Sequence, residues 1–211
     1  TTSTGSKRRM RTFMTLMAGQ LFSLVGSGIT GFALGVWLYD QTGQAMPFAI
    51  TALVSVLPRV LIGPFAGALV DRWNRKRVMI ITDLLAASVT LVLTFLIYTD
   101  SLLVWHIYVG AGLIAIFGAF QDPALSASVT LLVDKDDFAR AAGIRQGVYA
   151  METLLAPLLA GALYGFIGLR GIVLIDLATA AIAVSILLAM TIPQPEETAE
   201  GKASKGTIFS E

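Results

Sequence analysis

The sequence predicts an all-α membrane protein of six transmembrane helices. Three observations predict it: charge is scarce, six apolar segments are long enough to cross a bilayer, and the basic residues fall almost entirely on alternate loops. Charged residues are 14% of the 211 and apolar residues 55%, with a mean hydropathy of +0.76. An ordinary soluble domain is about 25% charged. Charge this sparse cannot cover a water-facing surface, so lipid is the expected solvent. The net charge of +1 gives no global field that would draw nucleic acid. There is no cysteine, which excludes disulfides and thiolate metal sites.

A bilayer crossing takes roughly 20 apolar residues. Six segments qualify, at about 13–38, 47–70, 78–98, 103–132, 138–168 and 171–192. In lipid they must be helices, because an open backbone finds no water to bond. They divide the chain into a basic N-terminus (1–12), a membrane domain (13–192) and a polar linker or tail (193–211).

The first span follows Lys7, Arg8, Arg9 and Arg11. It is too long for a signal h-region and no small-residue cleavage site follows, so it reads as a retained anchor. Asp40, Gln41, Thr42 and Gly43, with Pro47, separate it from the second. The basic run at 71–77 precedes the third span, and Thr99, Asp100 and Ser101 the fourth. The acidic run at 134–137 precedes the fifth, and Gly168, Leu169, Arg170 and Gly171 the sixth. The fourth and fifth exceed the bilayer thickness and are expected to tilt or project from it.

Orientation follows from the cations. Of the 15 Lys and Arg, all but Arg59 and Arg170 lie at the N-terminus, in the loop after the second span, around the start of the fifth, or in the tail. Positive residues mark the cytoplasmic side. Both termini are therefore expected there.

Gly63 to Met79 runs from apolar and glycine-rich into Arg72, Arg75, Lys76 and Arg77, with Asp71 as the lone anion. Squeezed between two spans, this cluster has no room to act as a nuclear signal or a nucleic-acid patch. A pure topology signal would leave Asp71 and the small residues before it unexplained. The stretch Gly67, three residues, Asp71, Arg72, one residue, Asn74, Arg75, Lys76, Arg77 resembles the signature loop of the major facilitator superfamily. The family form has Gly where this chain has Asn74. Asn tolerates left-handed backbone next best, so a left-handed turn is expected there.

Softer matches resemble the macrolide and siderophore exporters of that superfamily. They are Gly19, Gln20, Gly26 and Gly28 in the first span, and Phe120 to Ala124 in the fourth. Pro157 with Gly161, and Ile192 to Pro195, complete them.

The resemblance implies the N-terminal six-helix half of a secondary active transporter, built as two inverted three-helix units. It implies a proton-coupled exporter of an amphipathic small molecule, working by alternating access in the plasma (inner) membrane. It implies a second six-helix half, covalent or separate, as partner, and no cofactor. In the family the signature loop helps hold one conformational state. Carried over, Asp71 and Arg75 would pin neighbouring helix ends, and Gly67 would allow close approach. Arg72, Asn74, Lys76 and Arg77 complete the loop. The alternative is a non-transporting membrane anchor or sensor. No phosphate loop, metal cluster or nucleophile constellation points to an enzyme.

Ala66, Gly67, Ala68 and Leu69 recur 94 residues later as Ala160, Gly161, Ala162 and Leu163. This is a weak echo of a repeat. Ordinary small-residue packing also accounts for it, and for Gly31/Gly35, Gly63/Gly67, Gly143/Gly147 and Gly161/Gly165 as close helix contacts.

Ionisable groups within spans are costly and are functional candidates by default. Arg59, Asp122 and Glu152 lie roughly 18, 15 and 21 Å deep at 1.5 Å per residue. Gln20 and Gln121 add neutral polar groups. In the resembled fold all five lie on cavity-lining helices. The competing reading is a structural ion pair. The 94-residue offset maps Arg59 next to Glu152, which favours Glu152 over Asp122 as its partner. Asp83 is expected in the cytoplasmic charge network, Asp176 near the outer end of the sixth span, and His106 at the interface. Trp37, Tyr98 and Trp105 fit an outer aromatic belt and Trp73 the inner one.

Overall fold

The computed structural model describes residues 2–191, with side chains from Arg9 onward. The tail, with Lys202 and Lys205, and the stretch 192–195 lie outside the described residues. Five helices follow in order: α1 Thr2–Thr42, α2 Met46–Val70, α3 Arg75–Tyr98, α4 Val104–Leu132 and α5 Phe138–Ala189. A short 3-10 turn, Lys135–Asp137, joins α4 to α5. All five are long and apolar enough to cross a membrane.

Where six spans were expected, the chain forms five continuous elements, because the fifth and sixth are joined. α5 is 52 residues long and carries one non-helical residue, Gly168, at φ 61° and ψ −177°. Only glycine adopts that backbone readily. Its two arms fold back on each other. Ala141 and Val148 of the first arm share an apolar cluster with Leu187 of the second. Ala156 and Ala160 share another with Leu169, Ile172 and Val173.

The other boundaries follow local chemistry. Gly43, at φ 65°, closes the turn after α1, and Pro47 sits in the first turn of α2, where its missing N–H costs nothing. Asp100 takes a positive φ of 51° between α3 and α4. α4 opens with the backbone N–H of Leu103 donating to His106 Nδ1 at 3.0 Å. His106 is thus a helix cap with its Nδ1 occupied as an acceptor.

α1 packs along α5, α2 along α4, and α3 against both α4 and α5. Two apolar clusters hold the bundle. One, at the end carrying the basic loop, is built around Phe13, Leu16, Met79, Leu132 and Leu187. The other is built around Leu38, Ile107, Ile172 and Val173. α2 is the outermost helix: only Ala66 and Val70 of it are buried.

The expected close glycine contacts are mostly not made. A Cβ at Gly31, Gly63, Gly67, Gly143, Gly147, Gly161 or Gly165 would meet nothing within 4 Å. These faces are open, because no described helix lies against them. Gly35 differs: a Cβ there would stand 2.3 Å from the Phe48 ring of α2.

Gly168→Ala is expected to lower stability by about 1–3 kcal/mol, the cost of forcing a side chain into that region. Denaturant unfolding in detergent measures it. An unchanged midpoint would mean that the bend is not set by this residue.

Candidate functional site

The signature loop connects helix ends, though not as the sequence suggested. Asn74 is extended (φ −68°, ψ 108°) rather than left-handed, and its side chain accepts the Arg77 N–H at 3.0 Å. It is the N-cap of α3, the place where Asn is among the best residues. Arg75 Nη1 donates to the Ala127 carbonyl of α4 at 3.2 Å. Lys76 Nζ donates to the Leu188 carbonyl at 3.0 Å and to that of Met190. The last carbonyls of a helix lack intrahelical partners and carry partial negative charge, so a lysine there both satisfies and neutralises them.

Asp71 is the C-cap residue of α2, its N–H donating to the Gly67 carbonyl at 3.1 Å. Its carboxylate is exposed and makes no hydrogen bond or ion pair among the described residues. Arg72 and Arg77 are also exposed. No described residue approaches Gly67 closely. Trp73 stacks on Phe120 of α4, with centroids 6.3 Å apart.

Between the two apolar clusters lies a cavity of about 490 Å³. Its walls are mainly apolar, with Phe32, Phe48, Leu93, Ile107 and Ile114 among them. Arg59 of α2 and Glu152 of α5 both line it. Arg59 pairs with Asp122 of α4, Nη1 to Oδ2 at 4.0 Å, each side chain about half exposed. The partner is therefore Asp122 and not the expected Glu152. α2 packs along α4 rather than α5, so the nearest acid is on α4. Tyr149 also donates to Asp122, at 3.4 Å. Gly118 makes room for the guanidinium: a Cβ there would stand 2.8 Å from Arg59 Nη2. Glu152 instead covers Gly28 of α1, where a Cβ would lie 3.4 Å from its carboxylate.

The two glutamines depart from expectation. Gln121 faces α3, donating to Asp83 Oδ1 at 2.9 Å and accepting from Thr82. Asp83 thus belongs to an interhelical contact and not to the basic network. Gln20 is buried, 5% exposed, and does not line the cavity.

Sequence reasoning passed over Asp176. It is only 3% exposed, lines the same cavity and accepts from Ser27 Oγ of α1 at 2.9 Å. A signal existed: Asp83-Leu84 recurs as Asp176-Leu177, 93 residues on, almost the offset of the Ala-Gly-Ala-Leu echo.

Over residues 16–210 the chain matches the Major Facilitator Superfamily. It is 35% identical over 182 residues to Macrolide efflux protein A of Streptococcus pyogenes, covering 86% of this chain and 45% of that protein. It is 35% identical over 152 residues to Macrolide efflux protein A of Enterococcus faecalis, covering 72% and 47%. It is 31% identical over 165 residues to the Multidrug efflux pump Tap of Mycolicibacterium fortuitum, covering 74% and 38%. The chain spans about half the length of the relatives it matches or less.

Gly118→Ala is expected to push the Arg59 guanidinium off Asp122 without unfolding the bundle, since only a flexible side-chain tip must move. Thermal unfolding of Gly118→Ala, Asp122→Asn and the double variant should then be non-additive, because both remove one contact. Strict additivity would mean that Gly118 does not position Arg59.

Proposed function

The chain belongs to the major facilitator superfamily, and we propose that it forms the N-terminal six-helix half of a proton-coupled exporter of amphipathic small molecules. Membership makes it a multi-pass membrane chain of a transporter family. The observation that carries the reading is the cavity: apolar walls for a hydrophobic body, with Arg59 and Glu152 set into them. The efflux relatives named above support the outward direction, and macrolide-like or multidrug cargo is the substrate class they suggest.

The six-span, two-unit organisation is supported by the packing. Counting the arms of α5 as fifth and sixth helices, an exchange of one three-helix unit for the other turns the α1–α5 contact into the α4–α2 contact. It also relates two interhelical acid contacts. Gln121 of α4 donates to Asp83 of α3, and Ser27 of α1, 94 residues before Gln121, donates to Asp176. Inverted repeats within each half are a general feature of this architecture.

A second half would cover the open faces. Along α2, Val56 and Val60 are exposed, and Gly63 and Gly67 on the same helix are half-buried with nothing packed over them. Gly143, Gly147, Leu154, Leu158, Gly161 and Gly165 form an exposed stripe along the first arm of α5. Two halves rocking about the cavity would give alternating access. The contacts of Arg75 and Lys76 lie near water and can be exchanged at modest cost as the halves move, with Asp71 free for a partner in the other half. Both termini would be cytoplasmic in the plasma (inner) membrane, with residues 1–12 and 193–211 flanking the membrane domain.

Cysteines placed at Gly43 and Asp100 are expected to react with an impermeant reagent added outside intact cells, and one at Asn74 to be protected. The reverse pattern would invert the topology. Coupling is assigned to Glu152 and to the Arg59–Asp122 pair. In the complete transporter, Glu152→Gln is expected to fold and to lose the pH dependence of export. Export that keeps its full pH dependence in both Glu152→Gln and Asp122→Asn would remove these acids from the coupling step.

A further inference from the structure

Asp176 has no part in the coupling step proposed above, and its surroundings are unusual for a buried acid. No cation pairs with it among the described residues. Arg59 and Arg170, the cations outside the basic end, are engaged with Asp122 and Asp100. The polar groups around its carboxyl are hydroxyls: Ser27 donates to Oδ1, and Thr30 of α1 and Thr90 of α3 lie beside it. All four residues line the cavity. Asp176, Thr30 and Thr90 are 3%, 5% and 6% exposed, whereas Ser27 is open to the cavity.

A second observation comes from Thr30. Several helical threonines in this chain bond the carbonyl one turn back, as Thr42, Thr51, Thr82, Thr94 and Thr153 do. Thr30 does not: its Oγ1 is fully buried and, though within reach of the Asp176 carboxyl, makes no hydrogen bond of good geometry. A buried hydroxyl without a partner is costly in apolar surroundings, and this one sits against an unpaired carboxylate.

We propose that Asp176, Ser27, Thr30 and Thr90 form a binding site for a small monovalent cation, Na+, at the junction of α1, α3 and the second arm of α5. The donor set is all oxygen, which suits a hard cation. One carboxylate balances a single charge, so a monovalent ion leaves the buried site neutral. Hydroxyls turn freely and present lone pairs inward, unlike the amide that donates to the related Asp83. The depth of Asp176, Thr30 and Thr90 fits a dehydrated ion better than a bulky ammonium, and Ser27 supplies the route from the cavity. Gly26 makes the site possible, since a Cβ there would stand 3.3 Å from Asp176 Oδ1 and 2.1 Å from Thr179 Oγ1. The site does not rest on transport being demonstrated.

The test is equilibrium binding of radioactive 22Na+ to the purified chain in lipid nanodiscs, at fixed pH and ionic strength with choline as the replacement cation. Saturable binding is expected. It should weaken at least tenfold in Asp176→Asn and several-fold in Thr30→Val, and stay unchanged in Asp83→Asn. Thr30→Val keeps the test decisive if Asp176→Asn does not fold. A purely structural Thr30 would tolerate valine without any effect on Na+. No saturable binding, binding unaltered in Thr30→Val, or competition by choline as strong as by unlabelled Na+ would each overturn the proposal. The first of these would leave Asp176 as a structural acid held by the surrounding hydroxyls.

Discussion

The structure depends on the close approach of α1 to both arms of α5. Gly26 faces the second arm and Gly28 the first. A Cβ at Gly26 would collide with Thr179, and one at Gly28 would stand 2.7 Å from the Ala156 Cβ. Overpacking of this kind typically costs 1–3 kcal/mol. Because both contacts are tight, Asp176 and Glu152 are delivered to the same stretch of α1 from opposite sides. The cavity and its buried acids follow from that seam.

The same seam separates two apolar clusters by a polar layer. Leucine, isoleucine and alanine fill the bundle toward each end. At the level of Ser27, Thr30, Thr90, Glu152 and Asp176 polar side chains line a space instead. In lipid, polar groups survive only where they face protein or a water-filled cavity. Their arrangement around one cavity is therefore a constraint imposed by the lipid.

Charge at the two ends works by a different rule. Near water an ion pair contributes little, and helix ends have carbonyls to satisfy. Lys76 and Arg75 accordingly hold α5 and α4 by their carbonyls, and Arg9 pairs with Asp134 across the same end at 3.4 Å. At the other end Arg170 reaches Asp100 at 2.8 Å and lies over the Tyr98 ring, 5.6 Å from its centroid. The signature loop is thus a clasp between helix ends, with Asp71 left outward.

The sequence by itself determined the apolar segments, their order and most of their limits, though not that the fifth and sixth run together as one element bent at Gly168. Apolar length and turn chemistry are local, so Asn74, Pro47, Gly43 and Asp100 mark boundaries wherever the helices later pack. It also picked out Arg59, Asp122 and Glu152, because a charge inside an apolar span is conspicuous without any structure. Which acid meets Arg59 was decided by tertiary packing: α2 lies along α4, so Asp122 outcompetes the neighbour suggested by the repeat offset. Which glycines touch a helix was decided there too, since only the facing surface tells Gly26 and Gly28 from Gly63 and Gly67. Asp176 was hidden for the same reason. Its depth counted from the end of its span looked shallow, and only the fold-back at Gly168 carries it into the cavity against Ser27.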